Sequence, residues 1–249
     1  MDQILINSII ATIVISLLSL VGVVTFFVNK KVISKICICF EAFSTGALIG
    51  GAFLHLLPEA IELSDSLNPF LFLILGLSVF FVLERYLKWH HCHKNNGCEV
   101  HTFTYMSLIG DGLHNFIDGL VVVSAFAISK ELGIATAFAV AAHELPQELG
   151  DFGLLLHGGF SKAKALFWNF ISSLTAIAGA IVGYLMINSF HDITSFLLPF
   201  AAGGFLYIAM SDLIPELHKE PKISKSIFNF VLFAVGILFM LFIKLYFAE

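Results

Sequence analysis

His143-Glu144-Leu145-Pro146-Gln147-Glu148-Leu149-Gly150-Asp151 is the stretch whose reading decides the fold. Five of its side chains can ligate a metal, a proline sits among them, and the flanking sequence is apolar. An earlier apolar segment carries a counterpart, Asp111-Gly112-Leu113-His114-Asn115-Phe116-Ile117-Asp118. On a helix, residues three and four apart share a face. One face of the earlier stretch therefore collects Asp111, His114 with Asn115 beside it, and Asp118. The later one collects His143 and Glu144, then Gln147 and Glu148, then Asp151. The expectation is that these faces meet and form a metal site inside a membrane.

The surroundings demand a membrane. Hydrophobic residues make up 58% of the 249 and charged residues 12%, where a soluble domain carries about 25% charged. Mean hydropathy is +0.94. The net charge of −5 says less than its distribution, and nucleic acid is not an expected partner. Cys37, Cys39, Cys92 and Cys98 form no evident disulfide framework. A spanning helix needs about 20 mostly apolar residues. Eight segments qualify, near 4–28, 36–60, 69–89, 103–128, 132–157, 163–187, 193–214 and 226–247. Connections are short, so residues 1–249 read as one all-α integral membrane domain. No positive charge precedes the first segment and Asn29-Lys30-Lys31 follows it, which favours an uncleaved span over a signal peptide.

Eight spans separate the basic residues sharply. Of the 13 Lys and Arg, all but Lys130 and Lys244 fall on one side. That side is expected to be cytoplasmic, with both termini outside and the plasma membrane as the location. Polar groups at depth can then be compared. The fourth segment ends near Ile128, which puts His114 roughly 21 Å below the outer surface, and the fifth starts near Glu131, which puts His143 roughly 18 Å below it. The two histidines reach similar depth near the midplane.

Each ionisable group there costs about 2.5–3.5 kcal/mol on insertion scales. Two histidines, five carboxylates and two amides on neighbouring helices fit a cation better than a hydrogen-bond network that merely holds the bundle together. Imidazole with carboxylate and amide oxygen suits zinc, iron or manganese more than calcium or magnesium. Pro146 lacks the amide that would bond the Ala142 carbonyl, so a free carbonyl is expected beside His143, lining a cavity. The alternative is an intramembrane zinc metalloprotease. However, His143-Glu144-Leu145-Pro146-Gln147 lacks the final histidine of HExxH, and acids on the fourth segment favour permeation. The expectation is a transporter rather than an enzyme, with the metal as cargo and no resident cofactor.

Other features are read more lightly. Gly50-Gly51 and Pro58-Glu59 in the second segment echo Gly203-Gly204 and Pro215-Glu216 in the seventh, which runs oppositely. Interrupted helices in opposed halves point to an inverted repeat, with helices 1–3 and 6–8 around central helices 4 and 5. Ser172, Ala176, Gly179 and Gly183 form a packing stripe. His90, His91, Cys92, His93, Cys98 and His101 crowd a cytoplasmic loop at 90–101, suited to transient metal capture. His55 and Glu59 at one end, with Asp212, Glu216 and His218 at the other, read either as pathway ends or as interfacial polar residues. His157 and His191 read as loop residues.

The two central motifs, with His55-Leu56-Leu57-Pro58-Glu59 and Gly203-Gly204-Phe205-Leu206-Tyr207, resemble the ZIP (Zrt/Irt-like) metal transporters, and His143–Phe152 looks most like the LIV-1 subfamily. The resemblance implies an eight-helix inverted-repeat fold with extracellular termini, moving zinc, and also iron or manganese, into the cytoplasm, and a homodimer as a further expectation. It implies that His114, Asp118, His143 and Gln147 surround one metal. Asn115, Glu144 and Glu148 then neighbour a second position, with a bridging carboxylate setting two metals about 3.5–4 Å apart. Many LIV-1 members carry His where this chain has Gln147, and the sixth helix offers only Asn169, Ser172 and Ser173, with no carboxylate. The long extracellular domain of many eukaryotic members is not expected here, as in a minimal microbial form. Metal is expected to exchange water for these ligands, and rocking of one bundle on another to open the inner side. Protonation of the ligands would favour release.

Overall fold

A computed structural model describes residues 2–64, 68–89, 100–189 and 193–246, all of whose regular structure is helical. Helix α1 runs Gln3–Leu18 and tightens into a 3-10 stretch over Ser19–Phe26. Helix α2 runs Lys30–Gly50, passes through a π-helical stretch Gly51–Leu56 and ends as Leu57–Glu62. Then come α3 (Asn68–Trp89), α4 (Val100–Ile128) and α5 (Lys130–His157). Helix α6 is broken at Leu174 into Lys162–Ser173 and Thr175–Ser189. Helix α7 runs Ile193–Ile208, through a π-helical Ala209–Leu213, to Ile214–Leu217, and α8 is Ile223–Tyr246.

These eight passages match the eight expected from sequence. Among the described residues, six are long and apolar enough to cross a membrane by length and composition, and α3 offers the shorter apolar stretch Asn68–Leu83. Helix α5 has the length, at 28 residues. It carries Glu131, Glu144, Glu148 and Asp151, the acids that lower its hydropathy. His157 is the last residue of α5 and not part of a loop. The 90–99 part of the histidine-rich loop and His191 lie outside the described residues.

The turn between α4 and α5 is set by Ser129. Its hydroxyl accepts from the Leu132 amide at 3.0 Å, and Glu131 places a negative charge in the first turn, both stabilising a helix start. Because α4 ends at Ile128 and α5 begins at Lys130, His114 and His143 lie almost equally far from the turn. Local capping thus brings the two motifs level.

Packing separates the helices into two bundles, one of α1, α4, α5 and α6, the other of α2, α3, α7 and α8. Within each, the tightest crossings pair helices that point the same way. A Cβ on Gly46 of α2 would lie 2.0 Å from the Phe233 carbonyl oxygen of α8, and one on Gly236 would lie 2.2 Å from that of Phe43. A Cβ on Gly203 of α7 would lie 2.1 Å from the Leu73 oxygen of α3, and one on Gly76 2.1 Å from that of Phe200. The second crossing reproduces the first, offset by 157 residues between α2 and α7 (Gly46 to Gly203) and by 160 between α3 and α8 (Gly76 to Gly236). The π-helical stretches of α2 and α7, each running into a proline, repeat as well. This is the inverted repeat, but its register differs from the sequence echo: Gly203 corresponds to Gly46, not to Gly50. The Gly-Gly pairs are an inaccurate guide because close approach, not the dipeptide, is what the geometry keeps.

The proline-freed carbonyls also find partners. The Ala142 carbonyl released by Pro146 accepts from the Ser44 hydroxyl of α2. It is therefore held by the opposite bundle instead of lining a cavity, since a buried acceptor left alone is costly. In the same way Pro58 frees the Leu54 carbonyl, and Lys244 Nζ of α8 donates to it at 2.6 Å.

Candidate metal site

His114, Asp118, His143 and Glu144 converge where α4 meets α5. One ligand atom from each lies within 4.8 Å of all the others. His114 Nε2 is 3.2 Å from His143 Nε2, 3.3 Å from Glu144 Oε1 and 3.6 Å from Asp118 Oδ2. His143 Nε2 is 3.3 Å from Asp118 Oδ2 and 3.6 Å from Glu144 Oε1. Four donors at about 2.0–2.1 Å from a tetrahedral zinc stand about 3.3–3.4 Å apart. The five edges that involve a histidine, 3.2 to 3.6 Å, lie near those separations, and Asp118 and Glu144 present oxygens within 4.8 Å of each other. Both histidines present Nε2. For His143 the reason is visible, because its Nδ1 lies 3.1 Å from the Ala139 carbonyl, an arrangement that fixes the tautomer and aims the other nitrogen.

The cluster is dry on the α5 side: His143 and Glu144 are 1% and 0% exposed. The opposite bundle contributes rings, not ligands. Phe80 of α3 meets the His114 ring edge-on at 6.3 Å, and Phe205 of α7 meets that of His143 at 5.9 Å. Every member of the cluster therefore belongs to one bundle, facing an apolar wall on the other.

Acceptors around the cluster lack donors. Asp118 Oδ2, both Glu144 oxygens, Asn115 Oδ1, Glu148 Oε1 and Asn169 Oδ1 are buried without a hydrogen-bond partner. Each such group costs about 1–3 kcal/mol if nothing compensates. All six are oxygens, which is a pattern that a cation satisfies. The oxygens of Asn115, Glu148 and Asn169 extend the polar region beyond the first four ligands. Asn169 of α6 is tied in through its Nδ2, which donates to Glu148 Oε2 and, at 3.4 Å, to the Glu148 carbonyl.

Glu144, expected beside the second position, reaches the same point as the histidines. Gln147 is half-buried one turn further along α5. Asp111 accepts from Asn115 and Ser172, and Asp151 accepts from Ser107 at 3.4 Å. Asn169, one of the three polar residues expected from the sixth helix, is brought to Glu148 by the α5–α6 packing. Toward the α4–α5 turn, His55, Glu59, Ser129, Glu131 and Lys244 line a cavity of about 310 Å³, in which His55 Nε2 bonds the Met240 carbonyl at 2.9 Å. At the other end His218 and Asn229 line a separate cleft.

The sequence pattern described as ZIP Zinc transporter matches residues 2–102 and 88–244. The chain is 32% identical over 222 residues to Zinc transporter ZIP13 of Pongo abelii, covering 82% of this chain and 66% of that protein. It is 29% identical over 274 residues to Zinc transporter zipt-7.1 of Caenorhabditis briggsae, covering 82% and 70%. It is 46% identical over 121 residues to human Zinc transporter ZIP4, covering 49% of this chain but 18% of that protein.

Proposed function

This chain belongs to the ZIP zinc transporter family, and from that premise we propose that it carries zinc, with iron or manganese as competing cargo, across the plasma membrane into the cytoplasm. The family is one of transporters and not enzymes, so the chain is a multi-pass membrane protein whose metal is substrate. The observation that carries the reading is the convergence of His114, Asp118, His143 and Glu144 on one bundle, against the apolar wall of the other. These four bind the ion at the first position. Gln147 stands one turn along α5 as the residue that adjusts which metal is preferred. Asn115, Glu144 and Glu148 supply a second position, with Glu144 shared because it keeps a second unpartnered oxygen.

An incoming ion exchanges water for these ligands, which costs little because the ligand atoms already converge within 4.8 Å of one another. Release follows when the bundles shift and water or protons compete for the ligands. Extracellular termini are supported by the separation of basic residues, with Lys130 and Lys244 alone on the outer side. The cavity containing Glu59 and Glu131 lies on that side and suits an entrance.

The test is zinc flux into proteoliposomes of the purified protein, across a panel of divalent ions. His143→Ala is expected to abolish uptake while the protein still reaches the membrane. Normal uptake by that variant sinks the site, and peptide cleavage without flux would point to the protease instead.

A further inference from the structure

We propose that Asp111 is a positioning residue, which holds the amide of Asn115 so that only oxygen faces the second metal position. This rests on the second position inferred above. Asn115 is fully buried and follows the ligand His114 directly. Its Nδ2 donates to Asp111 Oδ1 at 2.9 Å and to the Asp111 carbonyl at 3.2 Å. The Asp111 carbonyl can only accept, so the nitrogen faces it and the adjoining carboxyl oxygen, and the amide oxygen faces away. That oxygen is buried with no donor near it. Reversing the amide would set two carbonyl-type oxygens of Asp111 against the Asn115 oxygen and would aim N–H groups at an incoming cation.

Asp111 is itself held. Its second carboxylate oxygen accepts from the Ser172 hydroxyl of α6, so each oxygen is anchored by a hydrogen bond. The Asn169 amide is fixed by the same device, because Glu148 takes its Nδ2 and leaves its Oδ1 unpartnered. Two acids thus turn two amides into oriented acceptors. The consequence is selectivity of a simple kind: the second position presents oxygens from Asn115, Glu144, Glu148 and Asn169 and no donor.

Equilibrium dialysis of the purified protein in nanodiscs against zinc tests this. The unmodified chain is expected to show two binding steps. Asp111→Ala should weaken the weaker step by about tenfold or more, the usual effect of removing an outer partner of a ligand, and leave the tighter step unchanged. Asp111→Asn should retain both steps, because its carboxamide oxygen still accepts from Asn115 and its nitrogen can face Ser172. In an Asn115→Ala background, Asp111→Ala should cost nothing further. A loss in Asp111→Asn as large as in Asp111→Ala, or an undiminished loss in the Asn115→Ala background, overturns the positioning role. If Asp111→Ala does not fold, Ser172→Ala replaces it, and the weaker step must weaken for the proposal to stand. A single binding step in the unmodified chain overturns the second position and this role with it. Two steps with additive losses overturn only the role of Asp111.

Discussion

Glu144 shows what spacing can and cannot reveal. The i, i+4 rule pairs His143 with Gln147, because it describes where Cβ atoms lie. Glu144 stands beside His143 on the same broad face, and its longer side chain brings Oε1 within 3.6 Å of His143 Nε2. Candidates on α4 were legible because His114 and Asp118 stand i, i+4 and both are short-reach ligands. Replacing Glu144 with Gln removes one anionic ligand while preserving shape, and zinc affinity measured by competition with a chromophoric chelator is expected to fall at least about tenfold. Gln147→His adds an imidazole beside the cluster and should shift the ratio of zinc to manganese uptake toward zinc. An unchanged ratio in proteoliposomes would remove Gln147 from the selectivity of the site.

The prolines make the corresponding point for whole helices. Pro146 and Pro58 are visible in the sequence, and so are the carbonyls they free. The partners are not, since Ser44 lies 98 residues from Ala142 and Lys244 lies 190 from Leu54. Only packing of α2 against α5 and α8 supplies them. Ser44→Ala leaves the Ala142 carbonyl buried and unpaired, at a cost of about 1–3 kcal/mol. The thermal midpoint in detergent is expected to fall, while an unaltered midpoint would mean that water replaces the hydroxyl. The Ser129 cap, by contrast, was within reach of sequence reading, because capping is settled within three residues.

For the whole molecule, the span number and the pairing of the central motifs were legible because hydrophobicity and charge are averaged over long stretches. The repeat was legible only in outline, because the helix crossings depend on which glycine touches which carbonyl. Gly203→Leu drives a side chain into the Leu73 carbonyl and Gly46→Leu into that of Phe233, each from about 2 Å. Both should abolish folded protein on size exclusion. Gly150→Ala, which meets nothing within 4 Å, should be tolerated. Deleting residues 90–98 is expected to change the rate of zinc uptake without abolishing it, and an identical rate would end the capture role of that loop.

The repeated crossings of α2 with α8 and of α7 with α3 carry one more consequence. A machine whose two ends are assembled from the same parts has no ratchet built into its frame, since neither opening is mechanically privileged. Net direction is then set by the chemical potential of the ion on the two sides. Vesicles loaded with zinc and diluted into chelator should empty through the same protein that fills them, with the His143→Ala variant blocking both journeys alike.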